Sequence, residues 1–165
     1  MDDRITGKAW VFGDNVDTDQ IIPAEYLVTG DPKELGRHAF EKVRPEFARQ
    51  VKEGDIIVGG LNFGSGSSRE HAPRALIGCG VKCVVAKSFA RIFFRNSINI
   101  GLTLVECPLE ANDSDTVDVD FKAGKVRNER TGREYEFKPL PDFLLRMIEA
   151  GGVVEYTKIS HRLRG

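Results

Sequence analysis

Reactive side chains are most concentrated in residues 60–71, which read Gly-Leu-Asn-Phe-Gly-Ser-Gly-Ser-Ser-Arg-Glu-His. Glycines permit left-handed backbone conformations and let a ligand approach the main chain closely. Arg69 adds a planar guanidinium that suits bidentate binding of a carboxylate or phosphate. A helix that starts at the end of this stretch would also point free backbone N–H groups toward an anion. The stretch by itself therefore indicates an anion site that contains an arginine.

Other interpretations of the same stretch are possible. Ser67 and Glu70 have the spacing of a helix capping box, so the serines could simply begin a helix that Pro73 kinks or restarts. A dinucleotide fingerprint fails because Arg69 stands where Gly or Ala is wanted, and no Gly-Lys-Ser/Thr follows to make a phosphate-binding P-loop. A serine hydrolase fits poorly, since Ser67 lacks the Gly-x-Ser-x-Gly context and His71 is its one weak partner.

A second polar cluster occupies residues 14–20, which read Asp-Asn-Val-Asp-Thr-Asp-Gln. It superficially resembles a calcium loop, but Gln20 stands where glycine should follow the third acidic position, and no Glu closes the loop at the right distance. A polar turn with Asx hydrogen bonds is the more typical outcome. No metal site is predicted in this chain.

The surrounding pattern predicts a mixed α/β protein. Buried parallel strands are indicated by continuous apolar runs, and a strand–helix–strand unit implies a parallel crossover. Period-two alternation between Thr116 and Phe137, with turn signals at Gly124 and Gly132, predicts antiparallel hairpins. The predicted strands are 8–12, 55–60, 81–86, 102–105 and 153–156. Helices are predicted to start at Asp31-Pro32, after Pro45, at a Ser67 cap, at a Ser88 cap and at Pro141. The helix from Ser88 is predicted to end at Gly101, and the helix from Pro141 at Gly151-Gly152.

Composition excludes several classes of protein. The 165 residues are 41% hydrophobic and 30% charged with a net charge of −1, a globular balance without the positive surplus that a nucleic-acid-binding protein needs. No apolar run approaches the roughly 20 residues of a membrane span, and the first residues lack the pattern of a secretory signal. We therefore expect no nucleic-acid or membrane partner and a cytoplasmic location.

The cysteines predict neither disulfides nor a metal centre. Cys79, Cys83 and Cys107 are odd in number and lie in apolar surroundings. A structural zinc or an iron–sulfur cluster wants about four close ligands, and no second pair is present. We expect small buried thiols.

Three motifs in order resemble the swivel domain of the aconitase superfamily. They are Asp-Thr-Asp-Gln-Ile-Ile-Pro at 17–23, Asn-Phe-Gly-Ser-Gly-Ser-Ser-Arg-Glu-His at 62–71 and Ser-Phe-Ala-Arg-Ile-Phe-Phe-Arg-Asn at 88–96. The likeness covers nearly the whole chain. It implies a swivelling β/β/α fold, with a mixed sheet, a strand–helix–strand unit and C-terminal hairpins, as a single domain over residues 1–165.

The stand-alone size resembles the small subunits of isopropylmalate dehydratases in that superfamily. The resemblance implies a hydro-lyase that is active only with a large subunit, where a [4Fe–4S] cluster is expected; this chain itself would hold no cofactor. The implied reaction is dehydration and rehydration of a small 2-hydroxy diacid, the interconversion of 2- and 3-isopropylmalate in leucine biosynthesis. Small subunits of homoaconitase or of a citramalate or dimethylmalate dehydratase remain alternatives, and a non-catalytic anion-binding module is an alternative of another class.

The resemblance also implies roles for residues. Ser67 would be the catalytic base as an alkoxide, and the helix-start N–H groups together with Arg69 would stabilise its charge. Arg69 would hold a substrate carboxylate, Ser68 would donate a further hydrogen bond, and Asp19 would orient a catalytic group of the other subunit. Those roles are compatible with the capping-box interpretation.

Substrate choice is expected to depend on a loop that contains Tyr26, Leu27, Val28 and Thr29. In the family this loop contacts the variable group of the substrate, and homoaconitase-like relatives tend to carry Arg at the third of these positions. Leu27 and Val28 could form an apolar surface for an isopropyl group, whereas the third carboxylate of a tricarboxylate substrate would find no cation in this loop. Alternatively, Leu27 and Val28 could simply anchor the loop to the core.

Arg91 and Arg95 lie one helical turn apart in the third motif. They could face the site or the large subunit, or they could serve the scaffold by bonding loop carbonyls. A scaffold role is slightly favoured.

Overall fold

The fold is built on a mixed sheet of seven strands in the computed structural model, which describes residues 4–138 and Arg146. The sheet order is β4-β3-β2-β1-β5-β6-β7. Strands β1 to β4 pair in parallel, and β5 to β7 continue from β1 as an antiparallel meander. The strands are β1 Arg4–Val11, β2 Ile56–Val58, β3 Cys83–Ala86, β4 Thr103–Glu106, β5 Thr116–Asp120, β6 Lys125–Asn128 and β7 Glu134–Glu136. The helices are α1 Thr18–Ile21, α2 Pro32–Gly36, α3 Glu46–Gln50, α4 His71–Gly78 and α5 Arg91–Ile100, with a 3-10 turn at Ala24–Tyr26.

Strand β1 joins the parallel and antiparallel halves. Its first five residues, 4–8, pair antiparallel with β5, and residues 9–11 pair parallel with β2. The strand begins four residues before the predicted start at Lys8. Gly7 permits this extension, because a Cβ there would lie 2.0 Å from the carbonyl oxygen of Gly54.

Both faces of the parallel strands are buried, as their continuous apolar sequences predict. Ile57, Val84 and Leu104 stand side by side and pack against the helices. The next residue of each strand (Val58, Val85 and Val105) faces the opposite core, which Val117, Val119 and Val126 of the meander complete. The predicted strand–helix–strand unit is confirmed, with β3, α5 and β4 in a parallel crossover.

Most helix and turn signals are confirmed. Asp31 caps α2 by accepting a hydrogen bond from the Lys33 N–H, α3 follows Pro45, and Gly101 ends α5 with a φ of 92°. Gly124 and Gly132 take positive φ in the meander turns, which confirms the hairpins. The predicted helix at Pro141 and strand at 153–156 lie outside the described residues.

The predicted Ser88 cap is wrong. Helix α5 begins at Arg91 with Ala90 at its N-cap position, and no side chain caps it. The Ser88 hydroxyl instead accepts a hydrogen bond from the Asn62 N–H at 2.7 Å. Phe89 pairs with Phe63 in an isolated bridge, so this segment stays extended for two residues more than the local pattern predicts.

Candidate active site

Three loops that follow the parallel strands β1, β2 and β3 are joined by backbone hydrogen bonds. The Thr18 N–H donates to the Ser65 carbonyl at 2.8 Å, and the Gly64 N–H donates to the Val16 carbonyl at 2.6 Å. On the other side, Phe63 donates to the Ser88 carbonyl at 3.0 Å. The three motifs of the sequence therefore meet at the edge formed by the carboxyl ends of parallel strands, where ligand sites of α/β folds gather.

The glycine–serine loop, residues 60–70, depends on left-handed glycines. Gly64 has a φ of 87° and lies so close to Phe93 that a Cβ would meet the ring at 2.2 Å. Gly66 has a φ of 100°, and a Cβ there would make only ordinary van der Waals contacts, the nearest with Thr18 Oγ1 at 3.4 Å. Phe93 packs edge-on against Phe63, at 5.5 Å between ring centroids. The loop thus packs closely against α5, while Ser67 and Ser68, which follow, are exposed.

Ser67 does not cap a helix, so the capping-box interpretation is wrong. Helix α4 begins at His71 with Glu70 at the N-cap position and no side-chain cap, so Ser67 lies three residues before the cap. The Ser67 Oγ instead lies 3.1 Å from the Thr18 Oγ1, where either hydroxyl can donate. Among the described residues, the hydrogen bond of the Ser67 hydroxyl is to Thr18 and not to a backbone N–H at the start of α4.

Thr18 is the site residue that sequence reasoning missed. Its side chain is buried, at 2% exposure, while Ser67 is exposed. In the sequence, Thr18 stands between Asp17 and Asp19, and the local pattern marks these two carboxylates, not the threonine hydroxyl, as candidate functional groups. Asp17 caps α1 through a capping box with Gln20, so the predicted Asx hydrogen bond is present, but at the start of a short helix and not in an isolated polar turn.

Arg69 and Asp19 form an ion pair beside the serines. The Arg69 Nη1 donates to the Asp19 Oδ1 at 3.1 Å and to the Ile22 carbonyl at 3.4 Å. This hydrogen bond from Arg69 holds the pKa of Asp19 below its usual value. Among the described residues, Arg69 Nε and Nη2 make no hydrogen bond, so one edge of the guanidinium is free for an anion.

Ser68 is exposed next to this pair. Its carbonyl accepts a hydrogen bond from Asn96 Nδ2 of α5 at 3.3 Å, and its hydroxyl has no partner within the described residues. Arg91 and Arg95 are also exposed on α5, and neither bonds a carbonyl or pairs with an acid in the described part of the chain. Their expected scaffold role through loop carbonyls is therefore not seen.

The 24–30 loop presents its four predicted substrate residues differently. Val28 is 93% exposed, whereas Leu27 is half-buried against the helix-side core. Tyr26 is half-buried, and Thr29 Oγ1 accepts a hydrogen bond from the Asp31 N–H at 3.2 Å. Between residues 4 and 138, no hydrogen bond or ion pair joins residues 26–29 to the glycine–serine loop.

In residues 4–138 and 146, no three His, Cys, Asp or Glu side chains are grouped so that they could hold a metal ion. The cysteines are free thiols, and Cys83 and Cys107 are buried while Cys79 is half-buried. Burial raises the pKa of Cys79 and Cys83 to about 12 and that of Cys107 to about 11, so thiolate ligands are disfavoured. Among the described residues, no helix has the length and apolar character to cross a membrane.

Comparison with known proteins places these features in one family. The aconitase C-terminal domain family matches residues 48–110. A 3-isopropylmalate dehydratase small subunit 1 of Methanopyrus kandleri is 58% identical over 96% of this chain and 95% of its own length, and a 3-isopropylmalate dehydratase small subunit of Aquifex aeolicus is 56% identical over 96% of each. A crystal structure of 3-isopropylmalate dehydratase from Methanocaldococcus jannaschii superposes with a TM-score of 0.93 at 42% identity, over 98% of this chain and 97% of that one.

Proposed function

The chain belongs to the family of 3-isopropylmalate dehydratase small subunits, and we propose that it acts as one. With a large subunit it forms a hydro-lyase that interconverts 2-isopropylmalate and 3-isopropylmalate in leucine biosynthesis. The observation that carries this proposal is the exposed Ser67 hydroxyl, bonded to Thr18, two residues before an Arg69 whose Nε and Nη2 make no hydrogen bond among the described residues. The Ser67-Ser68-Arg69 segment thus offers a base and a carboxylate-binding group close together in the chain, as elimination next to a carboxylate requires. We propose that the whole chain, residues 1–165, makes one swivel domain.

Ser67 acts as the base. Elimination of water begins when a proton leaves the carbon next to a carboxylate, and rehydration returns a proton there. A serine hydroxyl is a weak base unless the alkoxide is stabilised. Thr18 supports this role because its buried hydroxyl can donate to Ser67 Oγ across 3.1 Å whenever Ser67 has lost its proton.

Arg69 and Ser68 bind a substrate carboxylate. The Nη1 of Arg69 is anchored to Asp19 and to the Ile22 carbonyl, which restrains the guanidinium and leaves Nε and Nη2 without a partner in the described part of the chain. Such a fork suits a carboxylate. Asp19 is also 57% exposed at its side chain, so it can contact the other subunit while holding Arg69. Ser67→Ala tests the role of Ser67, and Arg69→Lys tests the pairing of Arg69 with Asp19.

We place the [4Fe–4S] cluster in the large subunit. The described residues of this chain offer no ligand set, and its cysteines are held as thiols. When bound there, such a cluster supplies a Lewis acid for the departing hydroxyl. Free thiols also suit a reducing compartment, which supports a cytoplasmic location for the complex.

The apolar tip of the 24–30 loop supports isopropylmalate over the tricarboxylates used by homoaconitase. Val28 is an aliphatic side chain that reaches solvent almost completely, and such a side chain can cover an isopropyl group on closure. Residues 24–30 contain no cation to pair with a third carboxylate.

The test is coexpression with a large subunit and assay against a panel of diacids. The panel comprises 2-isopropylmalate, citramalate, dimethylmalate and a homocitrate-type tricarboxylate. We expect turnover to be fastest with isopropylmalate, and we expect the chain alone to be inactive and colourless. A complex that turns over none of these acids would contradict the proposal and favour a non-catalytic anion-binding module. Visible cluster absorbance in the chain alone would contradict the division of labour between subunits.

A further inference from the structure

The base of the 24–30 loop is clasped by a second segment, residues 38–42. Tyr26 and His38 stack with ring centroids 3.8 Å apart and planes 5° from parallel. The Tyr26 hydroxyl donates to the Glu41 carboxylate, and the His38 Nδ1 lies 3.2 Å from the other carboxylate oxygen. Three side chains thus form a closed set, which we call the tyrosine clasp: Tyr26, His38 and Glu41.

The clasp is the principal polar side-chain attachment of this end of the loop, beside the apolar packing of Leu27 against the core. A further ion pair, between Glu25 and Lys42 at 3.6 Å, joins the same two segments but is more than half exposed on both sides. Exposed pairs of this kind contribute little, whereas a hydrogen bond to a charged acceptor contributes more. The clasp therefore carries most of the polar side-chain attachment.

We propose that Glu41 and His38 are positioning residues that hold Tyr26 and thereby set the position of Val28 for the substrate's variable group. This inference rests on the proposed function, since it assigns the same loop to substrate choice. Val28 lies two residues after Tyr26 with its side chain in solvent, so the attachment of Tyr26 determines where it points.

The protonation states agree with the hydrogen bond. Donation to Glu41, together with burial, raises the pKa of Tyr26 to about 12, and the same bond holds the pKa of Glu41 below its usual value. The phenol stays protonated and the carboxylate stays charged. Because the Tyr26 hydroxyl is already bonded to Glu41, Tyr26 serves the substrate through loop position and not as a hydrogen-bond donor to it.

Tyr26→Phe and Glu41→Gln test the clasp, because the first keeps the stacked ring and the second keeps an acceptor oxygen. Glu46→Gln is the matched control: the side chain of Glu46 is 44% exposed against 40% for Glu41, and it pairs with Arg44 away from the loop. Hydrogen exchange is measured on the full chain at the amides of Tyr26 and Leu27, which bond to the carbonyls of Pro23 and Ala24. Kinetics are measured on the complex with the large subunit.

We expect exchange at these amides to accelerate on the order of tenfold in Tyr26→Phe, less in Glu41→Gln and not in Glu46→Gln. In the complex, the KM for isopropylmalate should rise about three- to tenfold with kcat within twofold, since positioning of a binding loop affects substrate binding first. The double variant should differ little from Tyr26→Phe alone, because Tyr26→Phe already removes the Tyr26–Glu41 bond through which Glu41 acts on the loop.

Two results would overturn the inference: unchanged exchange in Tyr26→Phe, or additive kinetic effects in the double variant. If the wild-type complex does not turn over isopropylmalate, the proposed function fails. The exchange measurement would still decide whether the clasp holds the loop, because it needs neither substrate nor partner. Glu41→Ala serves as a second variant should Glu41→Gln keep the bond intact, and it should exceed Glu41→Gln in both readouts.

Discussion

The glycine–serine loop leads into α4, and the 24–30 loop ends near the same helix, since a Cβ at Gly30 would lie 3.1 Å from Arg74 Nη1. The first loop is fixed by its main chain: backbone hydrogen bonds tie residues 63–65 to both neighbouring loops, and buried phenylalanines support it. The 24–30 loop is fixed by side chains, through the tyrosine clasp at one end and the Asp31 cap at the other.

This difference separates two tasks. A group that moves protons must be held closely in place, and main-chain bonds do so whatever the side chains are. A group that reads the substrate's shape can be replaced without disturbing the fold, because an exposed side chain contributes little to stability. We therefore expect changes in the first loop to abolish turnover or folding, and changes in the second to redirect specificity.

The largest effect is expected from Ser67→Ala. Loss of the base should lower kcat of the complex by about a hundred- to ten-thousandfold. Because Ser67 caps no helix, the free energy of unfolding should fall by only about 0.5–1.5 kcal/mol for the lost bond to Thr18. Ser65→Ala is the control, since Ser65 joins the loops through its carbonyl. Near-normal turnover in Ser67→Ala would remove Ser67 from the role of base.

A pair of glycine variants tests whether the main chain fixes the loop. Gly64→Ala combines left-handed backbone with a clash against Phe93 and should lower the free energy of unfolding by about 3 kcal/mol or more. Gly66→Ala adds a Cβ that meets Thr18 and Asp17 at ordinary van der Waals distance without a clash, so it should cost about 1–2 kcal/mol from backbone strain alone. Urea denaturation of both chains gives the two values. Equal losses would show that packing against Phe93 does not hold the loop.

Val28→Arg should redirect specificity without unfolding. The guanidinium supplies a partner for a third carboxylate and removes an apolar contact, so the kcat/KM ratio of homocitrate-type tricarboxylate to isopropylmalate should rise about tenfold or more. Val43→Arg is the control, because Val43 is also exposed, at 49%, but lies outside the loop. An unaltered ratio would show that the loop does not read the variable group. A wild-type preference for the tricarboxylate would contradict the specificity proposal.

The smallest effect concerns Arg69 and Asp19. Arg69→Lys replaces a fork by a point charge, so the KM for isopropylmalate should rise, and the pKa of Asp19 should move up toward its ordinary 3.8. A depressed carboxyl pKa stabilises the fold above pH 3.8, and this stabilisation is lost as pH falls through the folded-state value. An NMR titration of Asp19 in both chains measures the change. An unchanged pKa together with an unchanged KM would show that Arg69 only packs.

Sequence predicted those features of the fold that depend on neighbours in the chain. The alternation of Val117 and Val119 with acids defined the meander, and Asp31 and Gly101 marked helix ends correctly. Ser67 and Ser88 have equally good cap chemistry, yet both hydroxyls bond to partners far away in sequence, at separations of 49 and 26 residues. Local rules do not register such partners.

In the candidate site, too, local sequence predicted some features and the tertiary structure was needed for others. The types and order of Asp19, Ser67 and Arg69 were readable, since their motifs are contiguous. The supporting contacts were not: Thr18 under Ser67 and Glu41 behind Tyr26 are ordinary residues whose importance arises only when distant segments meet. Physical reasoning from one sequence proposes an anion site with an arginine, and the family resemblance adds the reacting groups, whereas the residues that hold them require the tertiary structure.

The double pairing of β1 bears on how the chain folds. Thr6 hydrogen-bonds to Asp118, 112 residues later, so half of this strand cannot pair until that distant segment has been synthesised. At about 5–20 residues per second, a ribosome needs several seconds to make that interval. The other half of β1 can pair with β2 much earlier, which leaves residues 4–8 as an unpaired edge on the nascent sheet. Such an unpaired strand edge can pair with strands of other chains until β5 has been synthesised and covers it.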